Sequence, residues 1–190
     1  MPKLKSIQHQ VMVITGATSG IGLATAKLAA QRGAKLVLVA RNETALQTIA
    51  DELKSKGAQV RWLAADVADE EQLRRAAQIA KEELGGLDTW VNNAGISIFG
   101  YNEKISREDQ RRLFETNFWG VVNGSLIASE ELRQHGGAII NLGSEVSDAA
   151  IPLQGIYSAS KHAVKAFTDS LRMELEHDGA PISVTLIKPA

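Results

Sequence analysis

Short runs dominated by Val, Ile and Leu recur along the chain, and each gives way to a longer stretch in which apolar residues return every three or four positions. The runs are VMVIT (11–15), KLVLVA (35–40), QVRWLAA (59–65), DTWVNN (88–93), GAIINL (137–142) and ISVTLI (182–187). Their length and content of β-branched residues predict strands. The segments between them, roughly 20–32, 42–56, 69–84, 106–134 and 156–178, are rich in Ala, Leu, Glu and Lys and predict helices. Asn42 and Ser106 stand where helix N-caps are wanted, and Gly33, Gly57 and Gly179 where helices stop. Several strands are almost continuously apolar, as strands covered on both faces are. Strand and helix alternate five times before a final strand. That alternation predicts an α/β fold, a doubly wound parallel sheet with helices on both faces and right-handed crossovers, and a ligand crevice at the carboxyl ends of the strands. The expected strand order is 3-2-1-4-5-6.

Composition narrows the function without changing this picture. The 190 residues hold 21 Lys and Arg against 22 Asp and Glu, interleaved, for a net charge of −1. No basic face is offered to nucleic acid or to an anionic membrane. Cysteine is absent, which excludes disulfides, thiolate metal sites and a cysteine nucleophile, and the four histidines are not at ligand spacing, so no metal is expected. The opening MPKLKSIQHQ lacks the apolar run of a signal peptide, and no later segment is long and apolar enough to span a membrane. A soluble, cytoplasmic protein is expected, and no internal repeat or linker divides residues 1–190.

Directly after the first strand comes TGATSGIG, with Gly16, Gly20 and Gly22. A sharp strand-to-helix turn needs a residue free at positive φ, and a Cβ there would hold a pyrophosphate off the backbone amides. The helix starting near Gly20 adds unpaired N–H groups and the positive end of its dipole. A single dinucleotide-binding domain of Rossmann type is the expectation.

The spacing Gly-x-x-x-Gly-x-Gly resembles that of the short-chain dehydrogenase/reductase family in its compact form. Four further motifs follow in the family's order: NNAG (92–95) after the fourth strand, ETNFWG around Asn117, NLGSEVS with Ser144 at the end of the fifth strand, and YSASK from Tyr157 to Lys161. The resemblance covers essentially the whole chain. It implies an NAD(P)-dependent oxidoreductase that interconverts a carbonyl and a secondary alcohol by hydride transfer, with Asn117, Ser144, Tyr157 and Lys161 as the catalytic tetrad. It also implies cofactor contacts at Gly16, Thr18, Ser19, Gly20, Ile21 and Gly22 in the turn, at Arg41, at Asp66 and Val67, at Asn93, Ala94 and Gly95, and at Tyr157 and Lys161. Asp66 could instead cap the following helix.

The residue types suit the chemistry. Tyr157 and Lys161, four apart on a helix, share a face. A phenol ordinarily keeps its proton to about pH 10, and a fixed positive charge beside it favours the phenolate, so the pair can act as one acid–base unit. Ser144 is placed to donate to the substrate oxygen. Asn117, an unfavourable helix residue in mid-helix, is expected to kink it and to hold a proton-relaying water. Ala40 stands where NAD-preferring relatives carry an acid, and Arg41 follows, which favours NADP over NAD. Ala149, Ile151, Leu153 and Gln154 form the expected apolar substrate wall. Leu113, Phe114, Phe118, Ala163, Val164 and Phe167 suggest a homodimer or homotetramer built on two helices. Relatives continue through a substrate lid and a seventh strand, which the chain is expected to lack and without which it should turn over poorly. A nucleotide-binding sensor or scaffold, and an epimerase or dehydratase using the same Tyr–Lys pair, remain open alternatives.

Overall fold

Successive side chains of β1 (Val11–Thr15) go to opposite sides: Val11 and Val13 enter one core, Met12 and Ile14 another. In β2 (Lys35–Ala40), Val37 and Val39 join the first core and Leu36 and Leu38 the second. A period of two with both faces apolar belongs to a strand covered from both sides. The structure, a computed structural model, describes residues 4–190. The first three residues of the amino-terminal stretch, on which part of the signal-peptide reading falls, lie outside the described residues.

β3 (Val60–Ala64), β4 (Thr89–Asn92), β5 (Gly137–Leu142) and β6 (Ile182–Ile187) complete a six-stranded sheet, parallel throughout, in the order β3-β2-β1-β4-β5-β6. The expected order is the observed one. α1 (Gly20–Gln31) and α2 (Glu43–Ser55) cover one face, and α3 (Glu70–Leu84), α5 (Gly120–Leu132) and α6 (Gly155–His177) cover the other. Trp90, fully buried on β4, lies in the first core with Leu73, Ile127, Leu132 and Ile139. β6 is an edge strand, and its Ile187 is 44% exposed.

Asn42 and Ser106 accept the amides of Ala45 and Asp109, as N-caps should, and Asp69 does the same for Gln72. Gly33, Gly57 and Gly179 have positive φ where their helices end.

The predicted helix 106–134 is broken. α4 (Arg107–Phe114) passes into a π-helical turn (Glu115–Trp119) before α5, with the Gly120 amide closing on the Glu115 carbonyl. The cause is tertiary. Asn117, fully buried, accepts the Ile96 amide at 2.8 Å and donates to the Ile96 carbonyl at 2.9 Å, so its side chain pairs with a neighbouring backbone as a strand would. The expected kink is therefore a one-residue widening of the helix, a distortion that concentrates at functional sites.

The chain leaves β1 toward the α1 face and leaves β4 toward the opposite face, so the two adjacent strands part at their carboxyl ends. A crevice opens there, where doubly wound sheets bind ligands.

Candidate active site

Thr15, Gly16 and Asn93 fix the floor of that crevice. The Thr15 hydroxyl accepts the amides of Asn93 (3.0 Å) and Ala94 (3.1 Å), and Asn93 Nδ2 donates back to the carbonyls of Thr15 and Gly16. The glycine turn and the NNAG turn are thus bolted together. Gly16 has φ +65° and lies so close that a Cβ would stand 2.8 Å from the Ala94 Cα. Gly22 is buried, and a Cβ there would overlap the Gly16 carbonyl and Asn93. It serves the packing of α1 on the turn rather than the crevice wall. Asn92 is also withdrawn from the floor. Its side chain lies in a buried network with Trp90, Ser125 and Asn141, which continues through Asn141 to Thr168.

Two connected cavities occupy the crevice. The larger, about 530 Å³, is lined on one side by Gly16, Thr18, Ser19, Gly20 and Ile21, at one end by Ala40, Arg41, Asp66 and Val67, and on the floor by Asn93, Ala94 and Gly95. The smaller, about 330 Å³, shares Ile21, Asn93, Gly95 and Ile96 with it and brings Ser144, Tyr157 and Lys161 together. Ala149, Ile151, Leu153 and Gln154 line neither. Ile151 and Leu153 are exposed and Gln154 is buried, so the expected apolar wall is not part of this cavity.

Lys161 is 5% exposed; its Nζ donates to the Leu142 carbonyl at 2.8 Å and stands 5.8 Å from the centre of the Tyr157 ring. No carboxylate pairs with it among the described residues, so burial pulls its pKa down from the ordinary 10.5 to about 8. Tyr157 is half-buried, and no hydrogen bond joins it to Lys161 or Ser144. Ser144 stands at the end of β5 and caps the short 3-10 turn Glu145–Ser147 through a long 3.4 Å contact with the Val146 amide. Asn117 sits behind the cavity. Besides Ile96 it donates to the Ser160 hydroxyl, which itself donates to the Tyr157 carbonyl. Ser160, between Tyr157 and Lys161 in the chain, thereby ties the π turn to the first turn of α6.

At the far end of the larger cavity Asp66 neither caps α3, which Asp69 does, nor stands free. Its Oδ1 accepts the Ala68 amide, and its Oδ2 is paired with Arg112 of α4. Arg41 lies exposed at the same end and pairs with no carboxylate among the described residues. Arg112, which also lines the cavity, belongs to none of the five motifs, and Thr116, on the same wall, lies in ETNFWG but carries no role there. Helical spacing could have put them on one face but not aimed that face here.

The large cavity suits a dinucleotide on two counts. α2, α3 and α4 are capped by their own side chains, whereas Ser19, at the start of α1 and facing the cavity, makes no capping bond and leaves the first-turn amides to a ligand. Gly20, on the same wall, has φ +51° and open space where a Cβ would stand, so a ligand can approach its backbone closely. No cluster of His, Asp and Glu able to hold a metal ion occurs among the described residues, and no helix among them is long and apolar enough to cross a membrane.

Of the six residues expected to leave an apolar surface, Leu113 and Val164 are fully buried and pack inward. Phe114, Phe118, Ala163 and Phe167 are half-buried, the ring of Phe118 lying edge-on to Phe167, and Trp119 beside them is 47% exposed.

Residues 10–190 match the family model described as short chain dehydrogenase. An uncharacterized oxidoreductase of Bacillus subtilis, YxnA, is 50% identical over 189 residues, which are 98% of this chain. The chain spans 53% of that relative's length. A short chain dehydrogenase/reductase from Burkholderia phymatum, solved in complex with NAD, superposes with a TM-score of 0.95 at 35% identity, over 98% of this chain and 67% of that one. An alcohol dehydrogenase from the archaeon Thermococcus sibiricus, solved with 5-hydroxy-NADP, gives 0.89 at 31% identity, over 95% of this chain and 76% of that one.

Proposed function

The chain belongs to the short chain dehydrogenase family, and from that premise we propose that it serves an oxidoreductase that interconverts a carbonyl and a secondary alcohol with a nicotinamide dinucleotide. One observation carries this reading: Ser144, Tyr157 and Lys161 share a cavity continuous with the dinucleotide-sized cleft. When bound, the nicotinamide supplies or accepts the hydride.

The rest falls to side chains. In the direction of reduction, the Tyr157 hydroxyl gives its proton to the substrate oxygen, and in oxidation the phenolate takes one. Lys161 is held by the Leu142 carbonyl in a buried position, where its charge favours the phenolate. That charge is present below about pH 8 and fades above it. Ser144 donates to the substrate oxygen as negative charge develops there. Asn117 acts through others, fixing Ile96 and, by way of Ser160, the first turn of α6.

The same reading places NADP ahead of NAD. Ala40 offers no carboxylate to repel a 2′-phosphate, and the unpaired Arg41 guanidinium is at hand to bind one. Titration of reduced nicotinamide absorbance against a panel of ketones tests the function. Consumption of the reduced cofactor that stops in Tyr157→Phe, with cofactor affinity held within a few-fold, is the expected result. A net change in nicotinamide oxidation also sets a dehydrogenase apart from a sensor and from an epimerase, neither of which consumes the cofactor. Undiminished turnover in Tyr157→Phe would remove the phenol from the mechanism.

A further inference from the structure

Ser144, the donor for the substrate oxygen, is poorly held by its own side chain. Its hydroxyl makes only the 3.4 Å contact with the Val146 amide, and the residue is half-buried in an extended conformation, φ −165° and ψ 166°. A donor that is to meet a developing oxyanion at about 2.7–3.1 Å must then be placed by its backbone.

Two bonds to one neighbouring segment do this. The Gly143 amide donates to the Ile187 carbonyl at 2.8 Å and the Glu145 amide to the Pro189 carbonyl at 3.1 Å, so Ser144 stands between two rungs that carry the pairing of β5 and β6 past the strand ends. An approach this close needs a glycine: a Cβ at Gly143 would stand 2.9 Å from Ser147 Oγ and 3.1 Å from Leu186 Cδ1. The second rung is the weaker, because Pro189 has no N–H and can accept but not donate. A side chain secures it. Lys188 Nζ reaches Asp148 Oδ2 at 2.6 Å, 40 residues earlier in the chain. Asp148 closes the 3-10 turn that Ser144 opens, and its own amide donates to the Glu145 carbonyl. The ion pair thus completes a ring that runs from the Pro189 carbonyl to the Glu145 amide, through the turn to Asp148, and across to Lys188 beside Pro189. Lys165, which acts on Asp148 from farther off, is itself bonded to Asp169. The Lys188 ammonium holds the Asp148 carboxyl below its usual range, so the carboxylate stays charged at neutral pH.

Building on the carbonyl reading above, we propose that Lys188 and Asp148 are positioning residues for Ser144: their ion pair clasps the segment leaving β6 onto the serine's turn and so sets where the hydroxyl meets the substrate oxygen. Side chains 40% and 46% exposed add little to global stability by pairing. The effect is local. Ser144 and Pro189 both line the smaller cavity, so the clasp closes beside the reacting atoms. A displacement of about 1 Å there can cost on the order of a hundredfold in rate.

A local readout and a kinetic one together separate this role from a structural one. Amide hydrogen exchange by NMR compares Glu145, whose bond depends on the clasp, with Gly143, whose bond lies nearer the sheet. Ketone reduction by NADPH is followed in the same variants, with a thermal melt for each. Lys188→Met and Asp148→Asn should each speed exchange at Glu145 several-fold while Gly143 stays close to the parent. Each should also lower kcat by roughly threefold to thirtyfold, short of a full ångström's displacement, with KM for the ketone and the melt little changed. Lys188→Arg should recover most of both losses. The two substitutions together should cost no more than either alone, and neither should lower the residual rate of Ser144→Ala, since a residue that acts through the serine then has nothing left to position. A loss that persists in full beside Ser144→Ala would overturn the proposal, as would a kcat indifferent to both substitutions or a Glu145 amide that exchanges as in the parent. The carbonyl reading survives each of these. A parent protein that reduces no ketone would overturn both.

Discussion

Replacing Lys161 with methionine should raise the stability of the protein at neutral pH, and the gain should disappear in alkali. Lys161 is buried, its ammonium has one carbonyl partner, and its pKa falls from 10.5 to about 8 through burial. At about 1.4 kcal/mol per tenfold, that fall represents about 3 kcal/mol of native-state destabilisation near pH 7. The sign follows from proton binding. Between pH 8 and 10.5 the unfolded chain holds the lysine proton and the folded chain has released it, so the parent gains stability as pH rises through that window. Below about pH 8 both states are charged and the burial penalty is present in full. Methionine keeps the unbranched shape and does not titrate, but it gives up the hydrogen bond to the Leu142 carbonyl, about 1 kcal/mol. The balance is about 2 kcal/mol in favour of Lys161→Met at pH 7, shrinking to near zero by pH 10. Urea unfolding of both proteins at pH 7, 8, 9 and 10 measures the difference directly, because every other titrating group is common to the pair. A difference that stays flat across this range, or a parent more stable than the variant at pH 7, would refute the reasoning. A residue kept at such a cost is consistent with retention for chemistry rather than for folding.

Arg41→Ala should weaken NADP by about 1.5–3 kcal/mol, the worth of a charge-assisted hydrogen bond, and leave NAD unchanged in parallel calorimetric titrations. Equal losses would assign the guanidinium to adenine stacking. Gly22→Ala drives a methyl into the Gly16 carbonyl and the Asn93 side chain, and should cost roughly 1–3 kcal/mol in denaturant unfolding while weakening dinucleotide binding through the displaced turn. A variant as stable as the parent would show that α1 can withdraw freely. The half-buried Phe114, Phe118 and Phe167 with exposed Trp119 should support a homodimer or homotetramer, seen by light scattering at micromolar concentration and disrupted by Trp119→Glu. A monomer throughout would leave that face to solvent.

The repeating pattern of apolar runs and helical segments was enough to read all six strands and their order, because each strand advertises itself by local composition and the crossover rules leave few ways to arrange them. The glycine turn and the Tyr157–Lys161 pair were legible for the same reason: their spacing is local. What escaped depends on partners far along the chain. Asn117 announces an unhappy helix residue, but the π turn arises only because Ile96, 21 residues earlier, offers both of its backbone groups. Asp66 could be read as a cap or a ligand contact, and nothing near it reveals that Arg112 claims one of its oxygens. Ile151 and Leu153 have the composition of a pocket wall, yet their loop leaves them in solvent. Lys161 looked like a tuning charge for Tyr157, and only its burial shows that it is itself tuned.

The pairing of β1 with β4 has a kinetic consequence. β1, β2 and β3 are successive in the sequence as well as in the sheet, so that half can form from neighbouring contacts as soon as it is synthesised. The glycine turn belongs to it, but the groups that brace the turn, Asn93 and Ala94, are nearly 80 residues away from Thr15 and arrive only when β4 docks. Closing so long a loop is slow compared with local zippering. A nascent chain therefore holds half a cradle until the second half joins, and only the joined form offers nucleotide the braced turn. Ligand present during refolding should then act as a trap for the docked state, drawing the equilibrium forward by mass action without touching the steps that build either half.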